Sequence, residues 1–253
     1  MGLSLDLLDM SENLINPLNV CTFCGAKIRH LDLSGNKLTS LNAAHFDPLA
    51  TTLERLYLDR NRHLIDPPSS LTALLQPLRR LRHLSVADLR LNKTLPDSVF
   101  DSLHHLTFLN LSHNELQELS NRLLSGMVNT LETLDISHNE LAFFDSSTLQ
   151  IISQMKHLER IHLQSNPFSC YRCHILPFID WLNSNPAAAP YWNVCGKPQQ
   201  QQLVGIKKIY NNDDNDDDGV DNSEWLTANC ARCENPSSLK GRYLHEHGKV
   251  LNS

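Results

Sequence analysis

Three Cys-x-x-Cys pairs, Cys21/Cys24, Cys170/Cys173 and Cys230/Cys233, and a seventh cysteine, Cys195, are the side chains of this chain best suited to chemistry. Two such pairs can hold zinc tetrahedrally, and the same sulfurs oxidised make disulfides. The 56 residues between Cys173 and Cys230 are long for a zinc ribbon, and zinc leaves Cys195 without a role. Disulfides require an oxidising compartment, whereas reduced or zinc-bound thiols suit the cytosol. An odd number of cysteines leaves at least one unpaired within the chain. The Cys21/Cys24 pair fits a local disulfide and two buried free thiols equally well.

Two other groupings invite a chemical reading. The stretch DDNDDDGVDNSE (213–224) holds seven acids. Counted from Asp213 it resembles a helix–loop–helix calcium site, but Asp218 stands where the sharp turn wants glycine. Counted through Asp214, Asp216, Asp218 and Gly219 it resembles the DxDxDG calcium loops of extracellular repeat modules. Neither frame is complete, so a solvated acidic insertion is the simpler reading, with calcium as the one cofactor to test. The thirteen histidines mostly sit beside a leucine, as in RHL, HHL and KHL, where each serves as a polar filler. No Gly-x-Ser-x-Gly, His-Glu-x-x-His or phosphate loop occurs, so the expected function is not catalytic. The net charge of -6 comes from the acidic run; without its seven acids, 21 acids face 22 bases. No strongly basic face is signalled, and nucleic acid is not an expected partner.

The elements that must position these residues repeat. The pattern LxxLxLxxNxL starts at Leu5, Ile28, Leu53, Leu81, Leu106, Leu131 and Leu158, at intervals of 23, 25, 28, 25, 25 and 27 residues. The interval is that of the leucine-rich repeat. Numbering the pattern's positions from one, slots 4 and 6 are apolar among polar slots 3, 5 and 7, as a short strand with one buried face requires. The chain then turns, and Asn at slot 9 (Asn13, Asn36, Asn61, Asn114, Asn139, Asn166) can satisfy the backbone groups left inside. The fourth copy has Leu89 there, which predicts an irregular turn. Phe46 and Leu49 recur as Phe100 and Leu103 and should close the far side of their coils.

The chain resembles extracellular leucine-rich-repeat proteins over about residues 5 to 233, and TLERLYLDRN and TLETLDISHN are similar to repeats of chaoptin-like cell-adhesion proteins. The resemblance implies an α/β solenoid, right-handed, with a concave parallel sheet. It implies repeats over 1–168, a cysteine-rich C-terminal cap over 169–233 with an acidic insertion at 211–224, and a tail over 234–253. NPFSCYRCHILPFIDWL looks like the start of that cap, although two residues separate Cys170 and Cys173 where the family has one. The family's pairing, carried over, is Cys170–Cys195 and Cys173–Cys230, with Cys233 as an alternative to Cys195.

Slots 2, 3, 5, 7 and 8 should face solvent on the concave side. The middle of that face gathers His30, Arg55, Tyr57, His83 and Phe108, residue types enriched at protein interfaces. A protein partner, a second copy of the chain included, is expected there. Sequons at Asn92 and Asn110 agree with an extracellular setting, and a glycan on Asn110 would obstruct the face. No apolar run is long enough to span a bilayer, and MGLSLDLLDM lacks the basic start of a secretory signal. The first repeat begins at once, so the chain is expected to be part of a longer secreted or membrane-anchored protein. A cytosolic repeat scaffold is the competing reading.

Overall fold

The computed structural model describes residues 3–64, 69–93 and 95–167. Seven parallel strands follow one another in chain order across a single sheet: β1 (Ser4–Asp9), β2 (Lys27–Asp32), β3 (Arg55–Tyr57), β4 (His83–Ser85), β6 (Phe108–Asn110), β8 (Thr133–Asp135) and β9 (Arg160–His162). Two short strands, β5 (Asn92–Lys93) and β7 (Glu115–Leu116), pair in parallel beyond the turns. The far side carries α1 (Ala43–Phe46), α2 (Ser69–Leu75), α3 (Asn121–Ser125) and α4 (Ser146–Gln154). Among the described residues no strand pairs with another from the same coil, so each coil leans on its neighbours.

The register carries the repeat through the sheet. Leu8, Leu31, Leu56, Leu84, Leu109, Leu134 and Ile161, all at slot 4, lie side by side. From Leu31 onward this row is buried, and with the slot 1 and slot 6 residues it forms one continuous core. At the first coil the core is less covered: Leu5, Leu8 and Met10, at slots 1, 4 and 6, are only partly buried. Phe46, Leu49, Phe100 and Leu103 close the convex side of their coils, as the sequence predicts.

The slot 9 asparagines stitch coil to coil. Each of Asn36, Asn61, Asn114, Asn139 and Asn166 is buried. Asn139 shows the pattern: its Nδ2 donates to the Ile136 carbonyl of its own coil (3.1 Å) and to the Leu111 carbonyl of the coil before (3.0 Å). Its Oδ1 accepts from the Leu116 N–H of that preceding coil (3.1 Å). Asn13, with no described coil before it, bonds only to its own coil's Met10 and Ser11 carbonyls. Where Leu89 replaces asparagine the stitch is missing, and the turn holds two left-handed residues, Asp88 (φ 51°) and Arg90 (φ 59°).

A second set of stitches runs along the convex side. His45 is buried, and its Nε2 sits 3.0 Å from the Leu18 carbonyl of the coil before. A carbonyl only accepts, so Nε2 carries the proton and Nδ1 accepts from the Asn42 N–H (3.1 Å) at the start of α1. Four coils later Thr148 plays the same part: its hydroxyl donates to the Leu119 carbonyl (2.9 Å), and Asp145 caps α4 by accepting from the Thr148 N–H (2.6 Å).

Candidate functional site

The concave face follows from strands that all include slots 3 to 5 and end at slot 5. Side chains at slots 3 and 5 share one face, because successive residues of a strand point to opposite sides. In slot 3 the register sets His30 beside Arg55, Arg55 beside His83, and His83 beside Phe108. In slot 5 it sets Tyr57 between Asp32 and Ser85. Neighbouring strands lie about 4.8 Å apart, so all five expected residues belong to one patch across four strands. The His83 and Phe108 rings stack with centroids 5.6 Å apart and planes 18° from parallel. Both rings are half-buried, as are His30 and Tyr57, while Arg55 is exposed.

The patch has a defined charge state. Burial, helped by the Arg55 cation, pushes the His83 imidazole below the usual histidine range, so it stays neutral at pH 7. Its Nδ1 is buried without a hydrogen-bond partner among the described residues. Beside it runs a polar chain: Asn110 Nδ2 donates to Ser85 Oγ (3.0 Å), and Ser85 Oγ donates to Asp59 Oδ1 (2.6 Å), which also accepts from the Ala87 N–H (2.8 Å). Burial pushes the Asp59 carboxyl above the usual carboxylate range, against those two donors. Along slot 2, Arg29 bridges Asp6 (3.3 Å) and Glu54 (3.1 Å).

The expectation that slot 7 faces solvent is corrected. Ser34, Ala87, Ser112 and Ser137 are buried. The strand ends at slot 5, so alternation no longer holds two residues on. The slot 5 side chain instead folds over the turn: Asp32, Asn110 and Asp135 each accept from the backbone N–H of slot 7. Slot 8 is left-handed in all seven coils: Glu12, Gly35, Arg60, Asp88, His113, His138 and Ser165 have φ between 51° and 64°. At this slot His113 and His138 stack, with centroids 4.0 Å apart. The recurring SHNEL of the fifth and sixth coils is the signal that could have found this pair.

Asn110 is half-buried in β6, and Asn92 pairs with Glu115 across β5 and β7. Cys21 and Cys24 form a disulfide (Cα–Cα 4.8 Å), which settles the alternative left open by their spacing. Cys170, Cys173, Cys195, Cys230 and the acidic residues Asp214, Asp216 and Asp218 lie outside the described residues. Among the described residues no group of three or more His, Cys, Asp or Glu side chains is placed to hold a metal, and no helix is long and apolar enough to cross a membrane.

Leucine-rich-repeat family models match residues 27–49 and 79–141. The chain is a leucine-rich-repeat protein. Human Toll-like receptor 5 is 30% identical over 188 residues, which are 72% of this chain and 20% of that protein. The transforming growth factor beta activator LRRC33 of Danio rerio is 26% identical over 191 residues, 72% of this chain and 25% of that protein. The chain therefore spans no more than about a quarter of these two relatives. The crystal structure of human 5T4, the trophoblast glycoprotein, is 22% identical with a TM-score of 0.62, covering 95% of this chain and 84% of that one. At that identity the likeness concerns the leucine-rich-repeat fold alone.

Proposed function

We propose that this leucine-rich-repeat chain is a non-enzymatic protein-binding module, acting outside the cell in an adhesion protein or a receptor ectodomain. The observation that carries the reading is the row His30–Arg55–His83–Phe108, set side by side by strand register, with Tyr57 next to it. Half-buried aromatic rings around an exposed guanidinium supply large contact area at low cost in side-chain entropy. The partner is a protein, a second copy of the chain included. The Cys21–Cys24 disulfide supports an oxidising compartment over the cytosolic scaffold. The relatives support the role, since one is by its printed name a receptor.

A photo-crosslinking residue at position 57 or 108, compared with one at Gln150 on the exposed face of α4, tests this on cell surfaces. The reading expects protein adducts from positions 57 and 108 and none above background from 150. Equal yields from all three overturn it. So does a glycan found on Asn110 by mass spectrometry, because that glycan would stand on the proposed contact face.

A further inference from the structure

We propose a second binding surface on the edge of the solenoid at the N-terminal ends of β4 and β6, and that its ligand is a sulfated linear polysaccharide. The chain as a whole is nearly neutral outside its acidic run, but its cations are not evenly spread. Arg79, Arg80 and Arg82 come from the link that enters β4, and His104 and His105 from the same link one coil later. Stacking of the coils lays the two links side by side. Arg80, Arg82 and His105, with Glu54, line an open depression of about 270 Å³. Around the edge toward the convex side, Arg79 and His104, with Asp101, help line a second depression of about 440 Å³. All five basic side chains are exposed.

These cations lack local compensation. Among the described ion pairs none involves Arg79, Arg80 or Arg82. Glu54 is bound by Arg29 (3.1 Å), which holds its carboxyl below the usual range, while Arg82 attracts it only from farther away. What remains is three free guanidinium forks and two imidazoles, arranged over two adjoining hollows. A guanidinium presents paired donors that match the oxygens of a sulfate. One compact anion would fill one hollow and leave the other cations idle. A chain with charges at intervals can occupy both. The first hollow is lined by Glu54, Arg80, Arg82 and His105, with no aliphatic or aromatic hydrocarbon side chain among them.

The test uses the full chain and a fluorescently labelled, heparin-derived dodecasaccharide, with anisotropy read across a salt series. The expected result is saturable binding that falls steeply with salt. Arg80→Gln/Arg82→Gln should weaken it at least tenfold and reduce the slope of log affinity against log salt by roughly 1.5, the loss of two charge contacts. Arg160→Gln, a cation on β9, should leave binding unchanged, as should Tyr57→Ala on the proposed protein-binding patch. The substituted side chains are exposed, and an unchanged melting midpoint confirms that the variants are folded. The proposal is overturned if the unmodified chain does not bind, if the double variant binds equally, or if the desulfated sugar binds as well. Equal binding of a polyglutamate peptide of matched charge also overturns it, assigning the surface to an acidic protein segment.

Discussion

Removing one slot 9 asparagine should cost far more in the fifth coil than in the sixth. The two side chains look alike: Asn114 and Asn139 are both buried and occupy the same slot. Their networks differ because the coil before Asn114 lacks its own asparagine. Asn114 Oδ1 accepts from two backbone N–H groups, Leu89 and Leu91 (3.1 Å each), and its Nδ2 donates to the Val86 carbonyl (3.0 Å). Its other two acceptors keep partners without it, since Leu111 O also receives Asn139 Nδ2 and Ser112 O receives the Asp88 N–H. Asn114→Ala therefore strands two donors and one acceptor. Asn139→Ala strands only the Leu116 N–H, because Leu111 O keeps Asn114, Ile136 O keeps Asn166, and Ser137 O keeps the His113 N–H. Each stranded buried group costs about 1–3 kcal/mol. Taking about 2 kcal/mol per group, the expected losses are about 6 kcal/mol for Asn114→Ala and about 2 kcal/mol for Asn139→Ala. Urea unfolding measures the totals. Amide hydrogen exchange locates them: Leu89 and Leu91 should exchange faster in the first variant, Leu116 in the second. Equal losses, or faster exchange spread evenly over the chain, would refute the reasoning that coils are joined through these particular bonds.

Three other outcomes follow from named groups. Asp59→Asn should raise the melting midpoint at pH 7, because an amide oxygen can still accept from Ser85 and Ala87 without a partly desolvated charge; a lower midpoint would show that the charge is needed. His83 and His138 both have imidazoles held below the usual histidine range, about 6.5, chiefly by burial, so the unfolded chain binds protons first. Their contribution is complete above pH 6.5 and is lost as pH falls through the folded values; the midpoint should drop on acidification, and less so in His83→Gln/His138→Gln. His45→Ala should cost about 2–4 kcal/mol in urea unfolding, because the Leu18 carbonyl and the Asn42 N–H both lose their partner.

The sequence made the core legible wherever a regular strand or turn dictated residue type. The slot 4 leucines, the Phe46/Leu49 and Phe100/Leu103 steps and the asparagine bonds all lie where alternation and hydrogen-bond need put them. The five residues of the concave patch were legible for the same reason, since a parallel register preserves slot number across coils. Slot 7 was misread because alternation was carried past the end of a three-residue strand. The left-handed slot 8 left no trace in composition: Glu, Gly, Arg, Asp, His and Ser all occupy it. It is imposed by the next coil, whose slot 7 carbonyl accepts the slot 8 N–H, as in Arg60 to Ala87 (2.9 Å) and His113 to Ser137 (3.0 Å). His45 was hidden among histidines that do serve as fillers, and only its place three residues after Asn42 marks it as a bridge.

The departures from the repeat are not scattered. Asp59 stands at slot 7 where Ser34, Ser112 and Ser137 stand elsewhere, and Leu89 stands where five other coils bury asparagine. Arg79, Arg80 and Arg82 lie in the link between those two positions, and Tyr57 and His83 face outward from the same pair of coils. The missing asparagine stitch between the third and fourth coils is replaced by the Ser85–Asp59–Ala87 bridge, which puts a half-buried carboxyl next to the concave patch. Breaches of a local rule in a natural chain concentrate at sites that do something other than fold. The third and fourth coils thus hold both the irregular stitch and the exposed arginines of the two proposed surfaces, so the binding proposed above would be centred on them.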